Sequence, residues 1–440
     1  MLLLAFAAAN IITLIYLVAR GHELRRLLEV AWRGIWECKQ LFAIILLMGA
    51  TISVWLSSGI VPSLIYYGFG YMKGVNLVLA AFLSTAVISY IMGTACGTLS
   101  TIGIAIIGIG KGLMIPAPVL LGAIVSGSFI ADKIAPISSL TNLTIQMTGT
   151  NYKEYVKTSL KTLIPTMIIS AIIYYILGNS YGGEADLGAI QQYQNFIGQG
   201  FVISPFLLFF PVFVVVLAFS GIKIVYNMGL NVFAASIITM LLQKKSFWVV
   251  IKSVLWGYKA NTGMEQLDAL ISGGGALPMI EVVLIVMGSV TLSSLLEEAD
   301  LIKPITDFFY RKNDKALALI AKTGALSTIL NVVTCDQTVG ILVPAKFTAQ
   351  RFDELGLDRS ILARTISDTG TIIAPLMFWN VNALIIYGIT GISAISYAPY
   401  GVLCYICPLV TIIGGIFLGN KTGKVSIKEA KSTASTNAEV

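Results

Sequence analysis

Short polar clusters interrupt an otherwise apolar chain, and the fullest is Ala131-Asp132-Lys133-Ile134-Ala135-Pro136-Ile137-Ser138-Ser139-Leu140-Thr141-Asn142. Between Val75 and Asn151 the only charged residues are Lys111, Asp132 and Lys133. A lone carboxylate in such surroundings must find a partner, take up a proton or bind a cation. Residues i and i+1 point away from each other on a helix, so Lys133 is not automatically the partner of Asp132. Pro136 breaks the helix just beyond them. Ser138, Ser139, Thr141 and Asn142 then offer hydroxyl and amide oxygens, which suit a hard cation such as Na+. The alternative is a short interfacial loop.

Three further clusters have the same character. Thr334-Cys335-Asp336-Gln337-Thr338 lies between two apolar segments. Desolvation favours the protonated form of a carboxyl group, which is what a proton carrier needs. Asp336 could equally cap a helix start. Arg364 and Asp368 are i and i+4, share a helix face and can pair. They read as a fixed ion pair that sets the helix or as direct ligands, with Pro375, Trp379, Asn380 and Asn382 lining the break that follows. Gly93-Thr94-Ala95-Cys96-Gly97-Thr98 suits a helix break whose freed backbone groups, with Thr98, can hold an ion. It also suits a small-residue packing face.

Other chemistries lack their residues. His22 is the sole histidine and sits in a charged loop. Cys404 and Cys407 form a C-x-x-C inside an apolar run, where small packing residues are the expected reading. Gly108-Ile109-Gly110-Lys111-Gly112 lacks phosphate-loop spacing, with Gly112 where a hydroxyl should stand. No cofactor is expected, and no nucleophile–base set points to an enzyme. The +7 net charge lies in short loops beside apolar spans, with no basic stripe for nucleic acid.

Lipid must be the solvent for the elements that carry these clusters. The chain is 56% hydrophobic and 12% charged, with a mean hydropathy of +0.85. An all-α polytopic membrane protein follows, with about eleven transmembrane segments of roughly 20 residues or less. Residues 1–40 are expected to form a first transmembrane helix and a basic amphipathic connection. Residues 41–178 form a first unit, 179–277 linking helices and a polar insert, 278–420 a second unit, and 421–440 a disordered basic tail. That tail, with four lysines, favours the cytoplasm. Residues 179–198 carry Glu184 and Asp186 but no Lys or Arg, and favour the outside.

The two units share landmarks in the same order. Met48-Gly49 answers Met287-Gly288, Pro62 answers Pro304, Thr94 and Thr98 answer Thr334 and Thr338, and Ile134-Ala135-Pro136 answers Ile373-Ala374-Pro375. The intervals (287 − 48, 304 − 62, 334 − 94, 373 − 134) run from 239 to 242. Two homologous repeats follow, with inverted topology expected and broken helices at mid-membrane. Such halves can exchange conformations and open a central site to either side in turn.

From about Ile35 to Gly419 the chain resembles the NhaC family of Na+/H+ antiporters in the ion-transporter superfamily. The resemblance rests on Gly93-Thr94 through Thr98-Leu99-Ser100-Thr101, Asp132-Lys133 through Asn142-Leu143, Leu267 to Gly275, Asp336-Gln337, and Arg364 through Trp379-Asn380. It implies Na+/H+ exchange by a multi-pass protein of the inner membrane. Asp132 and Asp336 would carry cation or proton, with Na+ in their region. Thr98, Ser138, Ser139, Thr141, Asn142 and Gln337 would add oxygen ligands. Arg364, Asp368, Lys133 and Asn380 would form the substrate or structural set. A relative exchanges malate for lactate, so ion-coupled transport of a small organic acid or amino acid is the alternative, with Arg364 and Lys133 holding its carboxylate. A channel is the third reading. A homodimer is allowed. The family pattern after Asp-Lys-x-x-Pro is Leu-Ser-Asp-Thr-Thr-Asn. Here Ser139 replaces its carboxylate and Leu140 one threonine, while Cys96 stands for a tryptophan.

Overall fold

A computed structural model describes residues 2–71, 75–113, 115–136, 138–181, 187–219, 224–261, 268, 271–299 and 315–414. The expected acidic stretch at 184–186, the Pro304 landmark and the basic tail lie outside them. The described chain is helical throughout, with one isolated β-bridge between Tyr258 and Gly273. Five helices are long and apolar enough to cross a membrane, or up to eight if each bent pair counts as one span. The sequence reading of about eleven counted apolar stretches. Several of these are shorter helices, such as Leu77–Met92 and Val225–Leu241. Ile164, Ile168, Ile172 and Ile176 lie exposed along the Tyr152–Tyr181 helix. Water would not tolerate such a stripe, but lipid does, and the protein is an integral membrane protein.

Helix breaks organise the fold. The Leu77–Met92 helix ends at Gly93, whose φ of 67° is left-handed and suits glycine. Thr94 follows in extended conformation, and its hydroxyl accepts from the Gly97 N–H at 3.3 Å to start the next helix. The Ala316–Thr334 helix ends in the same way. Cys335 is left-handed (φ 61°), and extended Asp336 accepts from the Thr338 N–H at 3.1 Å. Without a glycine, this second turn carries a strain that the first avoids.

The caps keep a common interval. Thr94 and Asp336, Pro116 and Asp358, and Ser138 and Asn380 each stand just before a helix (336 − 94, 358 − 116 and 380 − 138 are all 242). Backbone geometry therefore sets Asp336 opposite Thr94. The sequence match of Thr334 with Thr94 had set it opposite Cys96.

Residues 244–278 read as a polar insert, and part of them forms an apolar helix packed against the fold. The apolar Phe247–Trp256 helix lies along the Lys39–Ser57 helix, with the Ser53 hydroxyl donating to the Ser253 carbonyl at 2.6 Å. The chain then returns through Gly273, Gly274 and Gly275, all at positive φ. Gly275 N–H donates to the Gly49 carbonyl at 2.7 Å. A Cβ on Gly49 would stand 2.2 Å from the Gly275 oxygen, so only glycine permits this approach.

Candidate functional site: a cavity between two helix breaks

Both breaks open onto one cavity of about 630 Å³. Gly93, Thr94, Cys96, Asp132 and Ser139 line it from the N-terminal half of the chain, and Asp336, Gln337, Thr338 and Asn382 from the C-terminal half. The two predicted carrier carboxylates thus share one space, although 204 positions separate them (336 − 132).

The remaining residues of the 131–142 cluster hold Asp132 in place. Ser138 Oγ donates to Asp132 Oδ1 at 3.4 Å, and Thr141 Oγ1 donates to the Asp132 carbonyl at 3.2 Å. Asn142 Nδ2 donates to the carbonyls of Pro136 and Ser138 at 2.9 and 2.8 Å, which closes the turn after the proline. Ser138, Thr141 and Asn142 are not on the cavity wall, whereas Ser139 is. Thr98 also stands back: it is fully buried, and its hydroxyl donates to the Thr94 carbonyl at 3.0 Å. It steadies the break.

Asp336 both caps a helix and faces the cavity. Its Oδ1 accepts from the Thr338 N–H and from the Thr338 hydroxyl at 3.2 Å. The capping reading of this residue is observed. Gln337 donates from Nε2 to the Thr371 carbonyl at 2.7 Å and reaches the cavity wall as well.

The expected pair of Arg364 and Asp368 does not form. Asp368 pairs with Lys133, and both are fully enclosed. The reason is the backbone: Ser367–Thr371 is a π-helical turn, so the i,i+4 register of an α-helix fails there. Asp368 Oδ2 also accepts from Thr162 Oγ1 at 2.7 Å and from the Thr411 hydroxyl. Arg364 is 2% exposed, and its Nε and Nη2 have no hydrogen-bond partner. Neither Lys133 nor Arg364 lines the cavity.

A π turn frees carbonyls, and the facing helices take them. Thr328 Oγ1 donates to Thr369 O at 3.2 Å, Asn331 Nδ2 to Gly370 O at 2.7 Å, and Gln337 to Thr371 O. Asn380 Nδ2 donates to Asn331 Oδ1 at 2.8 Å, while Asn380 Oδ1 caps the next helix through the Asn382 N–H at 3.0 Å. Asn380 thus ties the second break to the π turn and is absent from the cavity wall.

Sequence reasoning missed part of the wall. Glu37 and Cys38 contribute from the end of the Leu24–Glu37 helix, and Asn227 and Asn231 from the Ile224–Leu241 helix. The signal was available for the asparagines: two amides at i and i+4 mark one polar face of an apolar span. No cluster of metal-ligating His, Cys, Asp or Glu occurs among the described residues. Na+ would be cargo here, held by oxygens.

Known proteins share this arrangement of sequence. The chain is 28% identical to the malate-2H+/Na+-lactate antiporter of Bacillus subtilis over 94% of its own length and 88% of the relative. It is 28% identical to the Na+/H+ antiporter NhaC of Alkalihalophilus pseudofirmus, over 87% of this chain and 82% of that one. The same identity links it to the arginine/ornithine antiporter ArcD of Halobacterium salinarum, over 83% and 76%. The model of the Na+/H+ antiporter family matches residues 129–419, from the Asp132 cluster through the Lys133–Asp368 pair to the last described helix. The chain therefore belongs to the Na+/H+ antiporter family.

Proposed function

We propose that the protein exchanges Na+ for H+ across the cell membrane, with Asp132 and Asp336 as the groups for which the two cations compete. One observation carries this reading: carboxylates from two separate helix breaks line a single cavity. A proton and a sodium ion are alternative ways to neutralise a carboxylate held away from water. Occupancy by one excludes the other, and that exclusion is the coupling. Gln337, Ser139 and Thr94 supply neutral oxygens at the same wall.

The matched caps support a duplicated fold whose units span 41–178 and 278–420. Alternating access follows if the cavity opens first to one side and then to the other as these units rock. The Lys133–Asp368 pair joins them. It links the Ile130–Ile134 helix to the π turn at Ser367–Thr371 and serves as structure.

A second reading draws on the cavity's size. A space of about 630 Å³ holds a small organic acid, and Ser139 removes a negative charge that would repel one. The malate/lactate relative makes this concrete. Lys133 cannot hold the cargo's carboxylate in this conformation, since Asp368 occupies it. Purified protein in liposomes carrying a pH-sensitive dye separates the readings. A Na+ pulse should move protons with no organic acid present. Proton movement that needs malate or lactate as well as Na+ would favour the second reading, and none under either condition would overturn both.

A further inference from the structure

The Ile224–Leu241 helix belongs to neither matched unit, yet it forms part of the cavity wall. It packs along the Lys39–Ser57 helix and turns Asn227, Met228 and Asn231 toward the space that Asp132 and Asp336 share. Asn227 and Asn231 are i and i+4 and share one face of the helix, and Met228 stands three residues before Asn231 beside it. The two asparagines differ in their bonding. Asn231 Oδ1 accepts from Trp55 Nε1 at 2.7 Å, and Trp55 is itself held edge-on by Phe210 at 5.7 Å between ring centroids. Asn231 is fixed. Asn227 is 7% exposed, and its Oδ1 is buried without any hydrogen-bond partner.

A buried amide oxygen left unpaired costs free energy, and a packed fold has cheap ways to avoid it. Leucine fits an apolar span at that position without the penalty. Neighbouring Met228 takes the apolar solution and packs with Ile45 and Met48. The amide at 227 stands at the wall of a cavity with three carboxylates, Glu37, Asp132 and Asp336, and no basic side chain among its lining residues. A cation that enters that space finds at its wall an amide whose oxygen has no other partner.

We propose that Asn227 is a cargo-binding residue, whose amide oxygen coordinates the alkali cation as a neutral ligand beside Asp132 and Asp336. This rests on the Na+/H+ reading above and names a ligand from outside the matched units. A neutral oxygen adds affinity and size selectivity while leaving the charge balance of exchange with protons unchanged. Asn227 would thus set how tightly Na+ binds and how well Li+ substitutes for it, without carrying a proton.

The test measures cation-dependent proton movement in proteoliposomes across a range of Na+ and Li+ concentrations, for wild type, N227L and N227S. For N227L the half-saturating Na+ concentration should rise about tenfold, the loss of one hydrogen-bond-strength contact to a charged group. Its maximal rate should stay within about twofold, and the Na+/Li+ preference should change. N227S keeps an oxygen and should fall between the two. Na+-dependent thermal stabilisation of the detergent-solubilised proteins should follow the same order, and this readout survives if N227L inserts poorly. Wild-type half-saturation and ion preference in both variants would overturn the proposal and leave the Na+/H+ reading standing. Wild-type protein with no Na+-dependent proton movement would overturn both.

Discussion

Lys133 and Asp368, from different halves of the chain, form an ion pair sealed from solvent on both sides. Two hydroxyls, from Thr162 and Thr411, donate to the second carboxylate oxygen. Such a pair gains little over apolar packing but is costly to break. Asp368 without Lys133 would still keep two donors, whereas Lys133 without Asp368 would keep only the Cys407 thiol, a weak acceptor. We expect D368L to destabilise the folded protein by about 3–5 kcal/mol and K133M by less. The double variant K133M/D368L should recover part of the loss. A double-mutant cycle on thermal unfolding in detergent checks this, and strictly additive losses would show that the two residues act independently.

Asp336 performs two tasks that one substitution can separate. Asparagine is as good a helix N-cap as aspartate, so D336N should preserve the turn after Cys335. It removes the charge that a cation would need. D336N should therefore reach the membrane with near wild-type thermal stability and show no Na+-driven proton movement. D336A, which also loses the cap, should cost about 1 kcal/mol of stability in addition. Full exchange by D336N would remove Asp336 from the carrier role.

The sequence revealed the breaks more readily than the contacts. Glycine, proline and clustered hydroxyls in apolar runs marked Gly93–Thr98, Asp132–Asn142 and Asp336–Thr338, and all three lie at helix ends. Local chemistry dictates such ends, so they are legible along the chain. The partner of Asp368 was not. An i,i+4 rule presumes α-helical register, and the π turn at Ser367–Thr371 rotates Asp368 toward Lys133. That turn depends on carbonyl partners from Thr328, Asn331 and Gln337, which only the folded arrangement supplies. The same limit explains Asn227. Its helix is far from the three polar clusters in sequence, and its place at the cavity wall arises from packing on Lys39–Ser57.

Ser139 lies exposed on the cavity wall, one residue after the cap Ser138. It occupies the first turn of the Ser139–Thr148 helix, where an acidic side chain is favoured by the helix N-terminus. S139D should fold as well as wild type and add a negative ligand beside Asp132. The half-saturating Na+ concentration in proteoliposomes should fall several-fold. If it stays the same or rises, with insertion intact, position 139 does not face the cation.

Asn331 is the hub of the π turn. It donates to Gly370 O and accepts from Asn380, and all three residues are buried. N331L would strand a carbonyl and an amide together, at about 1–3 kcal/mol each. N331D would still accept from Asn380 but could not donate to Gly370. We therefore expect N331L to be the less stable of the two in thermal unfolding. Equal stability would mean that the Asn380 contact carries little of the turn's support.

Arg364 presents the opposite case to Lys133. Its guanidinium is 2% exposed, and its Nε and Nη2 have no protein acceptor. Replacing a paired buried charge costs several kcal/mol, because the partner is stranded. Replacing an unpaired one removes a desolvation penalty instead. Methionine matches the length and flexibility of the arginine stem and brings no charge. R364M should therefore be at least as stable as wild type in detergent unfolding, in contrast to D368L. We propose that a buried charge with so few stabilising contacts serves the transport cycle. We expect R364M to lose most Na+-driven proton movement, and R364K, which keeps a cation but not the planar donor fork, to retain part of it. A large drop in stability for R364M would show that the arginine is paired after all. Undiminished exchange in the stable variant would remove it from the cycle.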